Sequence, residues 1–164
     1  VFYQKEKQIP QVFPFPQLIG RTDFALFPAA GYICAGLLDI TAILYGIFFY
    51  PFAIAHLGLN ALIDEANDRV KGLRTIPTIY DAERTRYWIA GFTVIHAMMA
   101  VLFITRLGLV ARAGICAGLV LLVIANIVIL KYRTVDAALK VLPLFHVAMV
   151  LYAGGICAGA LLAL

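Results

Sequence analysis

Two aspartates near the middle of the chain have the spacing of a metal-binding pair. Asp64 and Asp68 are four residues apart, so on a helix both carboxylates lie on one face, roughly 6 Å apart. Adjacent carboxylates repel each other unless a cation lies between them, and oxygen ligands of this kind select Mg²⁺ or Ca²⁺. Because Mg²⁺ commonly shares its ligand shell with substrate phosphates, the pair indicates a diphosphate bound through Mg²⁺.

Polar side chains on both sides of the pair extend this candidate site. His56 and Asn60 continue the four-residue spacing back into an apolar segment, so we expect them to line the same site. Lys71 and Arg74 follow the pair, and basic residues at this position suit a polyanion. The alternative is a solvated helix end whose aspartates pair with neighbouring arginines, and the spacing alone leaves both interpretations open.

The composition is that of an integral membrane protein. The chain has 164 residues, of which 63% are hydrophobic and 13% are charged, whereas soluble domains carry roughly 25% charged residues. The mean hydropathy is +0.95. Spanning a bilayer takes about 20 helical residues, and no segment shows the alternating pattern of a membrane barrel. Long stretches contain no Asp, Glu, Lys or Arg: 24–38, 40–63, 87–105, 113–130 and 141–164.

These stretches predict an all-α fold with five transmembrane helices. Residues 1–22, with three prolines and scattered aromatic residues, are predicted to form a cytoplasmic interfacial loop before a bundle over 23–164. Residues 64–84 are predicted to form an Asp-rich cytoplasmic loop, with Gly72 breaking the preceding helix and Asp81 capping the third span. The predicted spans are about 23–38, 40–63, 85–105, 113–130 and 142–164.

The charges predict the orientation of the bundle. Threading five spans places eleven of the thirteen basic residues on one side, which identifies that side as cytoplasmic and the membrane as the cell (inner) membrane. The Asp-rich segment then faces the cytoplasm. This topology accounts for the net charge of +4, and no basic patch with interleaved aromatic residues suggests a nucleic-acid partner.

A short pattern, Ile-Cys-Ala-Gly, occurs three times in the apolar segments. Metal binding by its cysteines is one interpretation, but they fall in separate predicted spans and form no C-x-x-C pair. Close helix packing through small residues is the other, and the pairs Gly114/Gly118 and Gly155/Gly159 favour it. The three cysteines are Cys34, Cys116 and Cys157.

Further polar residues occur inside the apolar spans. Such side chains tend to face the bundle interior or a cavity. We expect His96 and His146 to form hydrogen bonds between helices, and Asn126 to face inward.

Several motifs together resemble the UbiA superfamily of intramembrane prenyltransferases. The segment from Asp64 to Pro77, DEANDRVKGLRTIP, resembles the second Asp-rich motif of that superfamily, a D-x-x-x-D followed by Gly and T-[LI]-P. Tyr3 and Lys7 resemble its Y-x-x-x-K motif, and the segment PQLIG that ends at Gly20 matches the layout that follows. The resemblance implies that the five spans form the C-terminal part of a nine-helix bundle.

The resemblance also implies an activity. A polyprenyl group would be transferred, with Mg²⁺ as cofactor, from a polyprenyl diphosphate to a membrane-associated acceptor within the bilayer. By position in the motifs, Asp64 and Asp68 would hold Mg²⁺, and Tyr3 would lie near the reacting carbon or the diphosphate. The implied diphosphate contacts are Lys7, Lys71 and Arg74.

One family feature is missing from these residues. The first Asp-rich motif, N-D-x-x-D-x-x-x-D, is not present in the sequence, so we interpret the chain as the C-terminal part of a longer protein or of a complex that supplies that half. Two alternatives stay open. One is a non-catalytic UbiA-like subunit that binds a lipid, quinone or pigment in a larger membrane complex. The other is a small transporter, suggested by the histidines within the spans and by Pro51.

Overall fold

The computed structural model describes residues 13–34 and 39–162, and every regular element in these two ranges is an α-helix. The expected all-α class is therefore confirmed for the described part of the chain. Tyr3 and Lys7 lie outside the described residues. The helices are α1 (Phe15–Ile19), α2 (Thr22–Cys34), α3 (Ile40–Val70), α4 (Ile76–Tyr80), α5 (Ala82–Ile104), α6 (Leu109–Tyr132) and α7 (Val135–Leu161).

Four of the described helices, α3, α5, α6 and α7, are long and apolar enough to cross a membrane. The sequence predicted a fifth span over 23–38, where the structure places α2 with 13 residues. A helix of that length is about 20 Å long, whereas the hydrocarbon core of a bilayer is about 30 Å thick. Residues 35–38 lie outside the described part, so the fifth span and the nine-helix bundle stay predictions.

Helix α3 continues past its predicted end at Ile63 and carries the acidic segment as far as Val70. The reason lies in the sequence of that segment, which contains no glycine or proline and allows an ion pair across one turn. The Nη2 atom of Arg69 lies 2.8 Å from the Oε1 atom of Glu65. The segment 64–84, predicted as a loop, is thus helical at its start, and the two aspartates lie on a regular helix.

The ends of the helices follow local capping signals. Gly72 has a φ of 65°, a left-handed conformation that favours glycine, and it follows the end of α3 as predicted. The Asp81 carboxylate accepts a hydrogen bond from the Arg84 backbone N–H at 2.8 Å, which confirms it as the cap of α5. Thr134 caps α7 in the same way, so that helix begins before its predicted start at Leu142.

Helix α3 lies at the centre of the bundle, where it contacts α2, α5 and α7. The aromatic side chains of Phe48 and Phe52 are buried on it. The Phe48 ring lies 5.4 Å from that of Tyr152, and the Phe52 ring lies 6.0 Å from that of Phe145, measured between centroids. Interlocking rings of this kind hold α3 against α7 through close packing, which is the main force between helices in lipid.

Glycines bring α6 and α7 into backbone contact. A Cβ atom built on Gly114 would lie 2.5 Å from the Leu151 carbonyl oxygen and 3.2 Å from the Gly155 Cα atom. A Cβ atom on Gly118 would collide with the Tyr152 ring. The predicted role of these small residues in helix packing is therefore confirmed.

Two buried polar side chains within the bundle, His96 and Asn126, form hydrogen bonds to neighbouring helices. The Nδ1 atom of His96 lies 2.8 Å from the Phe48 carbonyl oxygen, and its Nε2 atom lies 3.1 Å from the Tyr152 hydroxyl. A carbonyl only accepts, so Nδ1 carries the proton and Nε2 accepts from the tyrosine. Asn126 donates to the Thr93 hydroxyl at 3.0 Å. The expected interhelical role of His96 is confirmed, and Asn126 is buried and faces inward as expected.

Candidate functional site

A polar cavity of about 540 Å³ lies where the turn between α1 and α2 meets the C-terminal half of α3. Its lining includes three residues singled out from the sequence, Asn60, Asp64 and Asp68. The remaining described lining residues are Gln17, Gly20, Arg21, Asp23, Leu57, Ala61 and Thr75. The structure thus places the predicted acidic pair opposite a second wall that comes from the N-terminal part of the chain.

The two aspartates differ from their neighbour Glu65 in what they contact. Glu65 forms an ion pair with Arg69 and does not line the cavity. Within residues 13–34 and 39–162, neither Asp64 nor Asp68 has an ion pair or a side-chain hydrogen bond. The ion pair at this helix end is therefore formed by Glu65 and Arg69, and the two aspartates remain available to a ligand.

Two hydrogen bonds fix the second wall against the rest of the site. The Tyr50 hydroxyl on α3 donates to the Leu18 carbonyl at 3.1 Å, which holds α1 against α3. Gln17, buried with 1% of its surface exposed, donates from Nε2 to the Arg74 carbonyl. Both contacts join residues far apart in the sequence, so the position of this wall is a property of the tertiary fold.

The basic residues around the cavity differ from those expected from the sequence. Arg21, on the turn before α2, lines the cavity and has no ion pair in the described part of the chain. Lys71 is exposed and Arg74 is half-buried, and neither is among the described lining residues. Their predicted contacts with a diphosphate stay predictions, as do those of Tyr3 and Lys7.

His56 lies one turn before Asn60 on α3 but is not among the described lining residues. Its Nε2 atom is 3.3 Å from the Nε2 atom of His146 on α7, and its ring stacks on that of Phe52 with centroids 6.2 Å apart. The interhelical role expected for His146 is confirmed. A contact between His56 and a substrate stays a prediction.

The sequence alone indicated no part in the site for Gln17, Arg21 and Asp23, which form the second wall. The available signal was modest, namely the PQLIG segment next to an Arg and an Asp just before an apolar helix. No periodic pattern links these residues to Asp64, because they lie outside α3. Tertiary packing alone brings them to the cavity. The Asp23 carboxylate also accepts from the Phe24 backbone N–H at 2.7 Å, which holds its position.

The donor set of the cavity is suited to a cation that prefers oxygen ligands. Its walls present the carboxylates of Asp23, Asp64 and Asp68 and the amides of Gln17 and Asn60. In the described residues, no three or more His, Cys, Asp or Glu side chains come close enough to enclose a metal by themselves. Mg²⁺ fits such a set, because it is commonly bound through one or two carboxylates while waters and phosphates complete its shell.

Two apolar cavities lie beside the polar one along α2. One, of about 720 Å³, lies between α2 and α3, and the other, of about 680 Å³, is bounded by α2, α3 and α7. Three consecutive residues at the start of α2 border the three spaces. Thr22 borders the first apolar cavity, Asp23 the polar cavity and Phe24 the second apolar cavity. The arrangement provides a polar head site with space for an alkyl chain next to it.

Comparison with known proteins gives one match. Residues 1–150 match the sequence model of the UbiA prenyltransferase family. No curated protein and no solved structure matches the chain. The family match covers most of the 164 residues, including the acidic pair and both walls of the cavity.

Proposed function

The chain belongs to the UbiA prenyltransferase family. From this premise we propose that, together with a first Asp-rich motif supplied from outside these residues, it transfers a polyprenyl group from a polyprenyl diphosphate to an acceptor within the membrane. The transfer is proposed to depend on Mg²⁺ held by Asp64 and Asp68. The observation that carries the proposal is that these two aspartates line a polar cavity without protein partners in the described residues. Such a pair suits a divalent cation that shares its shell with phosphate oxygens.

The residues of the cavity divide the binding task between two walls. Helix α3 holds Asp64 and Asp68 one turn apart, so both can bind the same cation or two neighbouring ones. When bound, Mg²⁺ neutralises the diphosphate and stabilises it as a leaving group. Arg21 on the opposite wall offers a guanidinium, whose planar donors suit phosphate oxygens, and Asn60 adds an amide to the first wall.

Further substrate contacts are proposed from the family motifs. Lys7, Lys71 and Arg74 would contact the diphosphate, and Tyr3 would lie near the reacting carbon. Tyr3 and Lys7 precede the described residues, and Lys71 and Arg74 are not among the described lining residues of the cavity. The family motifs therefore support these roles, and the cavity geometry does not test them.

The prenyl chain is proposed to lie in an apolar cavity beside α2. Support comes from the first turn of that helix, where Asp23 borders the polar cavity and Phe24 borders an apolar one. Apolar walls suit an isoprenoid tail and also exclude water, which would otherwise capture the allylic cation formed when the diphosphate leaves.

The site is proposed to face the cytoplasmic side of the cell (inner) membrane. The excess of basic residues on the predicted cytoplasmic segments supports this orientation. At the ends of α5 and α6, Arg86 donates to the Arg133 carbonyl at 2.7 Å, and Glu83 pairs with Arg133 at 3.2 Å. These contacts bring the start of α5 and the end of α6 to one face of the bundle, as the predicted threading requires.

Substitution of the acidic pair tests the proposed activity. In membranes containing the protein, Asp64→Asn or Asp68→Asn is expected to lower Mg²⁺-dependent transfer of label from radiolabelled farnesyl diphosphate to the lipid fraction. A loss of about a hundredfold or more is expected, because each change removes a charged metal ligand. Release of diphosphate is measured in the same samples.

Glu65→Gln is the matched control, because Glu65 lies on the same helix and pairs with Arg69 away from the cavity. It is expected to retain activity within about twofold, because its side chain contacts Arg69 and not the cavity. Equal activity in the Asp64→Asn variant and the Glu65→Gln variant would refute the proposed role of the pair. Co-purification with a larger membrane complex, together with no binding of farnesyl diphosphate, would instead favour the non-catalytic subunit.

A further inference from the structure

Gln17 has a buried amide with one atom paired and the other unpaired. Its Nε2 atom donates to the Arg74 carbonyl, and because a carbonyl only accepts, this contact fixes which end of the amide carries the protons. The other end, Oε1, is buried and has no hydrogen-bond partner in the part of the chain that the structure describes. Burying an acceptor without a partner is unfavourable, so this oxygen requires a donor from outside the described residues.

The surroundings of Gln17 restrict the chemistry of that donor. Gln17 borders the same cavity as Asp64 and Asp68, so residues with acceptor groups border one space from two walls, and the Gln17 oxygen lies just beneath its surface. A diphosphate alone also presents acceptors and would be repelled by all three. A hydrated divalent cation satisfies both walls, because it binds carboxylates directly while its water ligands donate hydrogen bonds to a second shell of acceptors.

We propose that Gln17 is a positioning residue whose Oε1 atom accepts a hydrogen bond from water on the divalent cation bound by Asp64 and Asp68. The inference rests on the proposed function and extends it to the second wall of the site. The Nε2 bond to the Arg74 carbonyl holds the amide in place, and the water held by Oε1 fixes the orientation of the cation. The same side chain thereby couples cation binding to the contact between α1 and the segment after α3.

Two substitutions separate this role from a purely structural one. Gln17→Met keeps the shape of the side chain but removes both polar atoms, whereas Gln17→Glu keeps an acceptor at Oε1 and loses the donor to Arg74. The protein is purified in lipid nanodiscs, and binding of farnesyl thiolodiphosphate is measured as Mg²⁺ is titrated. Thermal unfolding of each variant is recorded in parallel.

The positioning role predicts how the variants rank in the Mg²⁺ concentration that they need for half-maximal binding. Gln17→Met is expected to raise the Mg²⁺ concentration for half-maximal binding about tenfold, the lower end of the effect seen for outer-shell partners of metals. Gln17→Glu is expected to need no more Mg²⁺ than the unaltered protein, although it unfolds at a lower temperature. Rescue of Mg²⁺ affinity without rescue of stability is the result that a structural role would not give.

Other outcomes would overturn the inference. If both variants unfold earlier while the Mg²⁺ dependence stays unchanged, Gln17 only joins α1 to the segment around Arg74. A higher Mg²⁺ concentration for half-maximal binding in Gln17→Glu than in Gln17→Met would also contradict it. The Asp64→Asn variant is measured in the same assay: if it loses Mg²⁺-dependent binding while Gln17→Met does not, only this inference fails. If Asp64→Asn keeps that binding, the proposed function itself fails.

Discussion

The cavity beside α1 and the contact between α6 and α7 differ in packing: the cavity leaves polar groups of its lining without partners in the described ranges, whereas the contact is closed by glycine backbones. At the cavity, two carboxylates and the Gln17 oxygen have no partners among the described residues. Between α6 and α7, glycine backbones meet directly, and at the bundle centre His96 and Tyr152 satisfy each other. In a bilayer an unpaired polar group is costly, so a cluster of them marks a place where a ligand is expected to bind.

The largest change in stability is expected when a methyl group is added at the glycine contact between α6 and α7. Gly114→Ala places Cβ against the Leu151 carbonyl oxygen and is expected to destabilise the protein by about 1–3 kcal/mol, because backbone cannot move aside as a flexible side chain would. Reversible unfolding in mixed micelles measures the free energy of unfolding. Mg²⁺ dependence of diphosphate binding by the folded fraction is expected to stay unchanged.

Gly154→Ala is the matched control, since Gly154 neighbours Gly155 on α7 and a Cβ atom there meets nothing within 4 Å. It is expected to keep or raise the free energy of unfolding by up to about 1 kcal/mol, because alanine is the better helix former. Equal destabilisation by the two substitutions would show that the α6–α7 contact is not close-packed through Gly114.

A smaller effect, confined to the cavity, is expected from Arg21. Arg21→Gln removes the guanidinium of the second wall and is expected to weaken binding of farnesyl thiolodiphosphate at saturating Mg²⁺ roughly tenfold, as a charged hydrogen bond contributes about 1.5–3 kcal/mol. The free energy of unfolding is expected to change little, because Arg21 has no ion pair in the described ranges. Isothermal titration measures the affinity.

Arg69→Gln serves as the comparison for Arg21, because Arg69 pairs with Glu65 and does not line the cavity. It is expected to change the affinity by no more than about twofold. If the two arginine variants bind farnesyl thiolodiphosphate equally well, the diphosphate does not contact Arg21 on the second wall. In that case only the aspartates of the first wall would distinguish the cavity from the α6–α7 contact.

The sequence correctly predicted features that depend on residues within a single helix. The four-residue spacing predicted that Asn60, Asp64 and Asp68 share a face, and the cavity includes all three. The small residues of α6 and α7 predicted close packing, because that signal depends on spacing within each helix. The end of α3 near Gly72 was predicted from a residue that tolerates positive φ.

Features that depend on contacts between distant segments were not predicted. Arg21 lines the cavity, but it lies on a different segment from the aspartates, and no local pattern linked it to them. Gln17 reaches the site through its bond to a carbonyl 57 residues away, which no local pattern encodes. Capping by Thr134 moved the start of α7 well before the apolar segment, since helices also extend through polar residues.

Paramagnetic substitution of the cation tests the central claim most directly, because it reports on the metal rather than on turnover. With Mn²⁺ in place of Mg²⁺ and farnesyl thiolodiphosphate as ligand, the protein is expected to give an electron-nuclear double-resonance signal with phosphorus coupling. The double variant Asp64→Asn/Asp68→Asn is expected to bind Mn²⁺ at least about tenfold more weakly and to lose part or all of that coupling, whereas Glu65→Gln matches the unaltered protein. An unchanged Mn²⁺ affinity and coupling in the double variant would contradict the assignment of this pair as the metal ligands.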